Sequence, residues 1–197
     1  MKFYLKRPWL LFSRLKLYLY EKAHPDEPWL SQGSIAFLKE HLQADMKVFE
    51  WGSGRSTLWF AQRVGHVVSV EYSQEWAKIV GKMLEDKQVR KVDLFYIPLE
   101  HPKSAPTPRI YDPIPKYVAK IFDYEKESFD LVVVDGHYRL TCVEQALDWI
   151  KPGGYMLIDN SNRVPREEWW VPPNWPLVHQ SSNVKTQTSI WQKPPKN

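Results

Sequence analysis

The chain has 197 residues, room for one compact domain with its own core but not comfortably for two. Its 43% hydrophobic and 25% charged residues are those of an ordinary globular protein, and no stretch approaches the ~20 apolar residues of a membrane span. A single cysteine, Cys142, excludes an internal disulfide, and the reducing cytosol is the expected compartment.

The net charge of +4 is unevenly placed. Residues 1–20 carry Lys2, Lys6, Arg7, Arg14 and Lys16 with no acid, leaving 22 basic against 23 acidic residues elsewhere. Phe3, Trp9, Leu10, Leu11, Phe12, Leu15 and Leu19 share that segment, so it reads either as a helix docked on the domain or as a basic apolar element in peripheral contact with an anionic membrane. We separate it, as residues 1–30, from a domain at 31–197. The basic patch is short, so nucleic acid is not an expected partner, and a small-molecule ligand is.

From there, β-type apolar runs alternate with helical patterns, the signature of parallel strands joined by crossover helices. A helix at 33–42 precedes a first strand at 46–50, and a second helix covers 55–64. The second strand, 66–71, leads through Ser73 as N-cap into a helix ending near residue 87. A third strand at 91–97 stops at Pro98, which cannot donate to a ladder. A Pro-rich loop follows at 101–115. The fourth strand, 129–135, is the most apolar run of the chain, as suits a central strand covered on both faces. A helix at 140–150 and a KPGG turn then lead to a fifth strand at 154–159. Beyond it, 175–182 and 185–192 read as a hairpin around Asn183, appended antiparallel to the sheet. In the Trp-rich stretch between, Trp169, Trp170 and Trp175 are candidates for a lid, although tryptophans of this kind more often fill core.

The sharpest chemical signal is FEWGSGRST at 49–57. An acid, Glu50, ends a strand, and Gly52 and Gly54 bracket Ser53 in a tight turn into a helix, where backbone N–H groups can meet a ligand. Glu71 closes the next strand about 20 residues on, where a carboxylate can hold ribose hydroxyls, with Tyr72 beside it. A nicotinamide fingerprint would place a third glycine at 57, where this chain has Thr57.

Two carboxylates and an amide form a second group. Asp135 ends the fourth strand, and Asp159 with Asn160 ends the fifth, at adjacent carboxyl edges. Oxygen ligands of this kind suit a hard cation such as Mg²⁺. The competing reading has Asp135 closing its strand and Asp159 and Asn160 capping a loop. His137 is the candidate base if no metal takes part.

Taken together, Glu50-x-Gly52-x-Gly54, Glu71, VVVDGHYR and KPGGYMLIDN resemble the class I S-adenosylmethionine-dependent methyltransferases over about residues 30–192. The resemblance implies a three-layer Rossmann-like α/β fold with strand order 3-2-1-4-5-7-6. It assigns the methionine part of the cofactor to Glu50, Gly52, Ser53 and Gly54, the ribose to Glu71 with Tyr72, and the adenine edge to Leu99 and Glu100. Ser56 stands where many members carry a third glycine. The acids at strands four and five resemble the metal set of cation-dependent O-methyltransferases, which implies O-methylation of a small-molecule or sugar-like acceptor. A non-catalytic nucleotide-binding module and a nicotinamide oxidoreductase are the alternatives.

Overall fold

The computed structural model describes residues 8–101 and 111–196. Residues 1–7, and most of the loop expected at 101–115, lie outside it. Seven strands form one mixed sheet: β1 (Lys47–Trp51), β2 (His66–Glu71), β3 (Val92–Tyr96), β4 (Phe129–Val134), β5 (Ile150–Asp159), β6 (Leu177–Ser182) and β7 (Gln187–Gln192). Their order is β3-β2-β1-β4-β5-β7-β6, as expected. The first five run parallel, and β7 joins antiparallel to both β5 and β6.

The strands are apolar on both faces because helices cover both. Alternate side chains divide between two cores. Phe49, Val68 and Val132 pack with α5 (Lys116–Ala119) and α6 (Arg139–Ala146), whereas Val48, Val67, Leu131 and Val133 pack with α2 (Gln32–His41) and α3 (Arg55–Ala61). Helix α4 (Gln74–Asp86) closes a smaller cluster through Val80 and Leu84, and its N-cap Ser73 accepts from the Trp76 N–H as expected. An N-terminal helix, α1 (Pro8–Ala23), buries Leu17 and pairs Glu21 with Lys185 of the hairpin turn at 2.7 Å. Leu11, Phe12, Leu15 and Leu19 of α1 remain outside. Among the described residues no helix is long and apolar enough to cross a membrane.

One boundary differs materially from the sequence reading. Helix α6 ends at Ala146 rather than near 150, and β5 begins at Ile150, so KPGG lies inside the strand and not in a turn before it. Pairing decides this: Ile150 sits opposite Phe129, and the Phe129 N–H donates to Trp149 O at 3.1 Å. The ladder then shifts register between Phe129 and Leu131, and Gly153, at φ +80°, absorbs the irregularity.

Candidate functional site

The strand order reverses between β1 and β4, and the loops leaving their carboxyl ends part there to form a crevice. Gly52 follows β1 at φ +97°, and a Cβ on it would stand 2.8 Å from the Asp135 carbonyl carbon and the Gly136 nitrogen. A Cβ on Gly136 would stand 2.0 Å from the Tyr117 hydroxyl. The two turns therefore touch backbone to backbone, and only glycine permits it.

Beneath the turn lies Glu50, fully buried. It does not line the crevice; its Oε2 accepts from Thr57 Oγ1 at 2.6 Å and Ser69 Oγ at 2.8 Å. Thr57 Oγ1 in turn accepts from the Gly54 N–H at 2.9 Å. The residue that breaks the nicotinamide fingerprint thus locks the glycine turn onto the acid below it. Burial pushes the Glu50 carboxyl up to about 7, against the opposing pull of the Ser56, Thr57 and Ser69 hydroxyls. From the other side, the Trp76 indole N–H donates to Ser53 O at 2.7 Å.

Glu71 is buried at the end of β2 and spans the gap to this turn. Its Oε2 accepts from the Ser53 N–H and Oγ, both at 3.2 Å, and its Oε1 accepts from Tyr72 N–H at 2.9 Å and Ser73 N–H at 2.8 Å. A carboxylate has about four acceptor positions. Three of these donors are backbone, and only the Ser53 hydroxyl is free to rotate.

On the opposite wall, Arg139 enters from the first turn of α6. Its Nη2 donates to Asp135 Oδ1 and to Asp135 O, each at 2.8 Å, its Nε to Gly136 O at 3.0 Å, and its Nη1 to Asp159 O. A guanidinium thus bridges the ends of β4 and β5. This corrects the metal assignment. Asp159 Oδ1 accepts from the hydroxyls of Thr186 and Thr188 at 2.7 Å, and Asn160 donates its side-chain N–H to Thr186 Oγ1 while its Oδ1 accepts from Arg163 Nη2 at 2.8 Å. Asp135 meets a cation that the chain itself supplies, and among the described residues no group of three His, Cys, Asp or Glu side chains is placed to hold a metal. The donor set does not fit a divalent ion. Burial raises the Asp135 carboxyl, with Asp159 and Glu50 adding to the rise and Arg139 opposing it.

The resulting crevice has a volume of about 570 Å³ and is walled by Ser53, Glu71, Tyr72, Trp76, Asp135 and His137, with Trp29, Arg139 and Arg163 at its sides. That size is ordinary for a small-ligand site. The Tyr72 and His137 rings on its wall lie with centroids 5.9 Å apart, their planes tilted by 51°. Two non-glycine residues in left-handed conformation, Tyr138 (φ 53°) and Asn160 (φ 50°), lie on the loops at its edge. Of the adenine-edge residues, Leu99 packs on the core and Glu100 accepts from the Lys116 N–H at 2.7 Å; neither is among the crevice-lining residues. Trp169 and Trp175 are buried, and Trp170 is exposed.

Sequence reasoning missed Arg139, Trp76, Thr57 and Arg163. Only Arg139 left a usable signal, since it stands four residues after Asp135, one helical turn away.

No protein-family model and no curated protein matches the chain. Solved structures do. An rRNA methylase from Streptococcus thermophilus aligns over 85% of this chain and 99% of its own, with a TM-score of 0.60 and 14% identity. A candidate rRNA methylase from Clostridium thermocellum aligns over 87% and 99%, with a TM-score of 0.62 and 13% identity. A candidate methyltransferase from Streptococcus mutans, solved with S-adenosylhomocysteine, aligns over 81% and 95%, with a TM-score of 0.58 and 13% identity. The chain has the fold of the S-adenosylmethionine-dependent methyltransferases. The first two structures also overturn the expectation that nucleic acid is not a partner: the same fold at the same size serves rRNA methylases, so a short basic patch is no ground for that expectation.

Proposed function

We propose that this chain is an S-adenosylmethionine-dependent methyltransferase acting on an oxygen of its acceptor. The observation that carries the reading is the closure of the glycine turn on Glu71 at the floor of the crevice, with a rigid backbone cradle on one wall and ionisable groups on the other. Residues 52–54 would hold the methionine part of the cofactor, Glu71 the ribose and Tyr72 the adenine face. The chemistry the cofactor supplies is a methyl group made electrophilic by a sulfonium.

The chain's own part is positioning and proton management. The Ser53 hydroxyl swings away from Glu71 and leaves two backbone N–H bonds to fix the carboxylate on its other oxygen. Trp76 and Thr57 keep the turn from following. On the opposite wall, His137 takes the proton of an acceptor hydroxyl as its oxygen becomes nucleophilic, a role for which Asp135 is less free because Arg139 holds it. A base beside the crevice favours a hydroxyl acceptor over an amine, which attacks as the free base.

Calorimetric titration tests the reading: S-adenosylhomocysteine binds at micromolar concentration, NADH does not, and Glu71→Ala lowers the affinity at least tenfold. Binding of NADH without S-adenosylhomocysteine would sink it.

A further inference from the structure

Beside the crevice lies a second cavity of about 240 Å³, between the loops that follow β4 and β5. It shares Gly136, His137, Arg139 and Arg163 with the crevice, so the two spaces have a common wall. Its other sides are apolar or aromatic: Tyr138, Leu140, Val164 and Trp169. Trp169 is a fixed wall, buried and tied by its indole N–H to Ser161 O at 2.8 Å.

The charges on this cavity are of one sign. Arg139 and Arg163 line it and no carboxylate does. Asp135 belongs to the larger crevice, and Asp159 Oδ1 is engaged by Thr186 and Thr188. The two guanidiniums differ in what they can offer. Four hydrogen bonds hold Arg139, so it acts as a fixed positive charge. Arg163 donates through Nη2 to Asn160 Oδ1, and Asn160 is anchored to Thr186 through both its backbone N–H and its side-chain amide. That leaves the remaining edge of the Arg163 fork to meet a ligand at the boundary of the two spaces. Arg163 is also held below its ordinary value by burial and by the nearby charge of Arg139, with Asp135 and Asp159 opposing. Arg139 is already matched by Asp135, whereas Arg163 donates to the neutral Asn160 Oδ1, so Arg163 is the cation that an anion would complete.

We infer that this cavity is the acceptor subsite, and that it takes an acceptor carrying a phosphate or carboxylate on Arg163 with a planar apolar part between Tyr138 and Trp169. The inference rests on the methyltransferase reading for the word acceptor, but the anion site stands on its own geometry. His137, on the wall common to both spaces, is then placed to touch the acceptor from one side and the crevice from the other.

Binding of phenyl phosphate, of phenol and of a short single-stranded oligouridylate tests this, each titrated into the protein with and without saturating S-adenosylhomocysteine. Phenyl phosphate is expected to bind and phenol to bind at least tenfold more weakly. Arg163→Gln should lose tenfold or more for phenyl phosphate, with Arg163→Lys recovering part of it. Val164→Trp, which fills only the second cavity, should abolish phenyl phosphate binding while S-adenosylhomocysteine still binds and reports the folded state. An oligouridylate that binds more tightly than phenyl phosphate and is equally sensitive to Arg163→Gln assigns the phosphate to a polynucleotide; weaker binding assigns it to a free aryl compound. Equal binding of phenyl phosphate and phenol, or phenyl phosphate binding untouched by Val164→Trp, overturns the proposal. If S-adenosylhomocysteine fails to bind while Arg163→Gln still abolishes phenyl phosphate binding, the methyltransferase reading falls and the anion site remains.

Discussion

Arg139 Nη2 lies 2.8 Å from Asp135 Oδ1, one helical turn along the chain, and the same guanidinium reaches the Asp159 carbonyl on the neighbouring strand. This one side chain replaces the hard cation that two strand-end acids suggest. It also couples the strands: β4 and β5 end on acceptors that share a single donor group.

Removing it leaves Asp135 and three carbonyl oxygens without that donor in a largely buried place. Arg139→Met is expected to cost about 2 kcal/mol of stability by urea denaturation, less than breaking a fully buried pair because the Asp135 side chain is 32% exposed at the crevice. Arg139→Lys should recover less than half of this, because one ammonium cannot meet acceptors on two strands. Full recovery by lysine would show that charge alone matters.

Glu50 makes stability depend on pH. Its folded value of about 7 exceeds the ordinary 4.5, so between those limits the folded state holds a proton that the unfolded state has released. Its contribution is greatest below pH 4.5, falls as the pH rises to about 7, and stays low above that, a change of about 3 kcal/mol. Glu50→Gln keeps an oxygen for Thr57 and Ser69 and removes the titration. The variant should gain stability relative to wild type between pH 5 and pH 8; an identical difference at both pH values would refute the assignment.

Ser53 separates the two duties of Glu71. Ser53→Ala removes the one rotatable donor on the carboxylate and leaves the backbone bonds. S-adenosylhomocysteine should bind this variant within about threefold of wild type, and Glu71→Gln, whose amide would face N–H donors, at least tenfold more weakly. A large loss in Ser53→Ala would mean that its hydroxyl contacts the ligand directly.

Gly52→Ala tests the contact between the two turns. A methyl group there meets the Asp135 and Gly136 backbone at 2.8 Å, and alanine at φ +97° is strained as well. The expected loss is about 3 kcal/mol, from the left-handed conformation and overpacking together. Thermal unfolding measures it, and a shift of less than 2 °C would contradict the geometry.

Much of the site was legible because its chemistry follows chain-local rules. A glycine turn after a strand, an acid at the next strand end and a Ser N-cap each announce themselves within a few residues, and Glu71 and Ser53 do come together. Glu50 was legible as an acid of that motif but not as a buried one, since its partners Thr57 and Ser69 lie on a helix and a neighbouring strand. The boundary of β5 was misread because periodicity reports which face a residue takes, not which strand it pairs with, and the register shift at Phe129 and Leu131 exists only in the pairing.

By itself the sequence determined the layered α/β class, because apolar runs of this length, broken by helical patterns and closed by a hairpin, leave few right-handed solutions, and the strand order followed from the resemblance to the methyltransferases. Only the tertiary structure decided what the strand-end acids do. Arg139, four residues on, takes Asp135 and also reaches the end of β5, while Thr186 and Thr188 come to Asp159 from the hairpin, and a carboxylate's chemistry is set by what stands next to it in space.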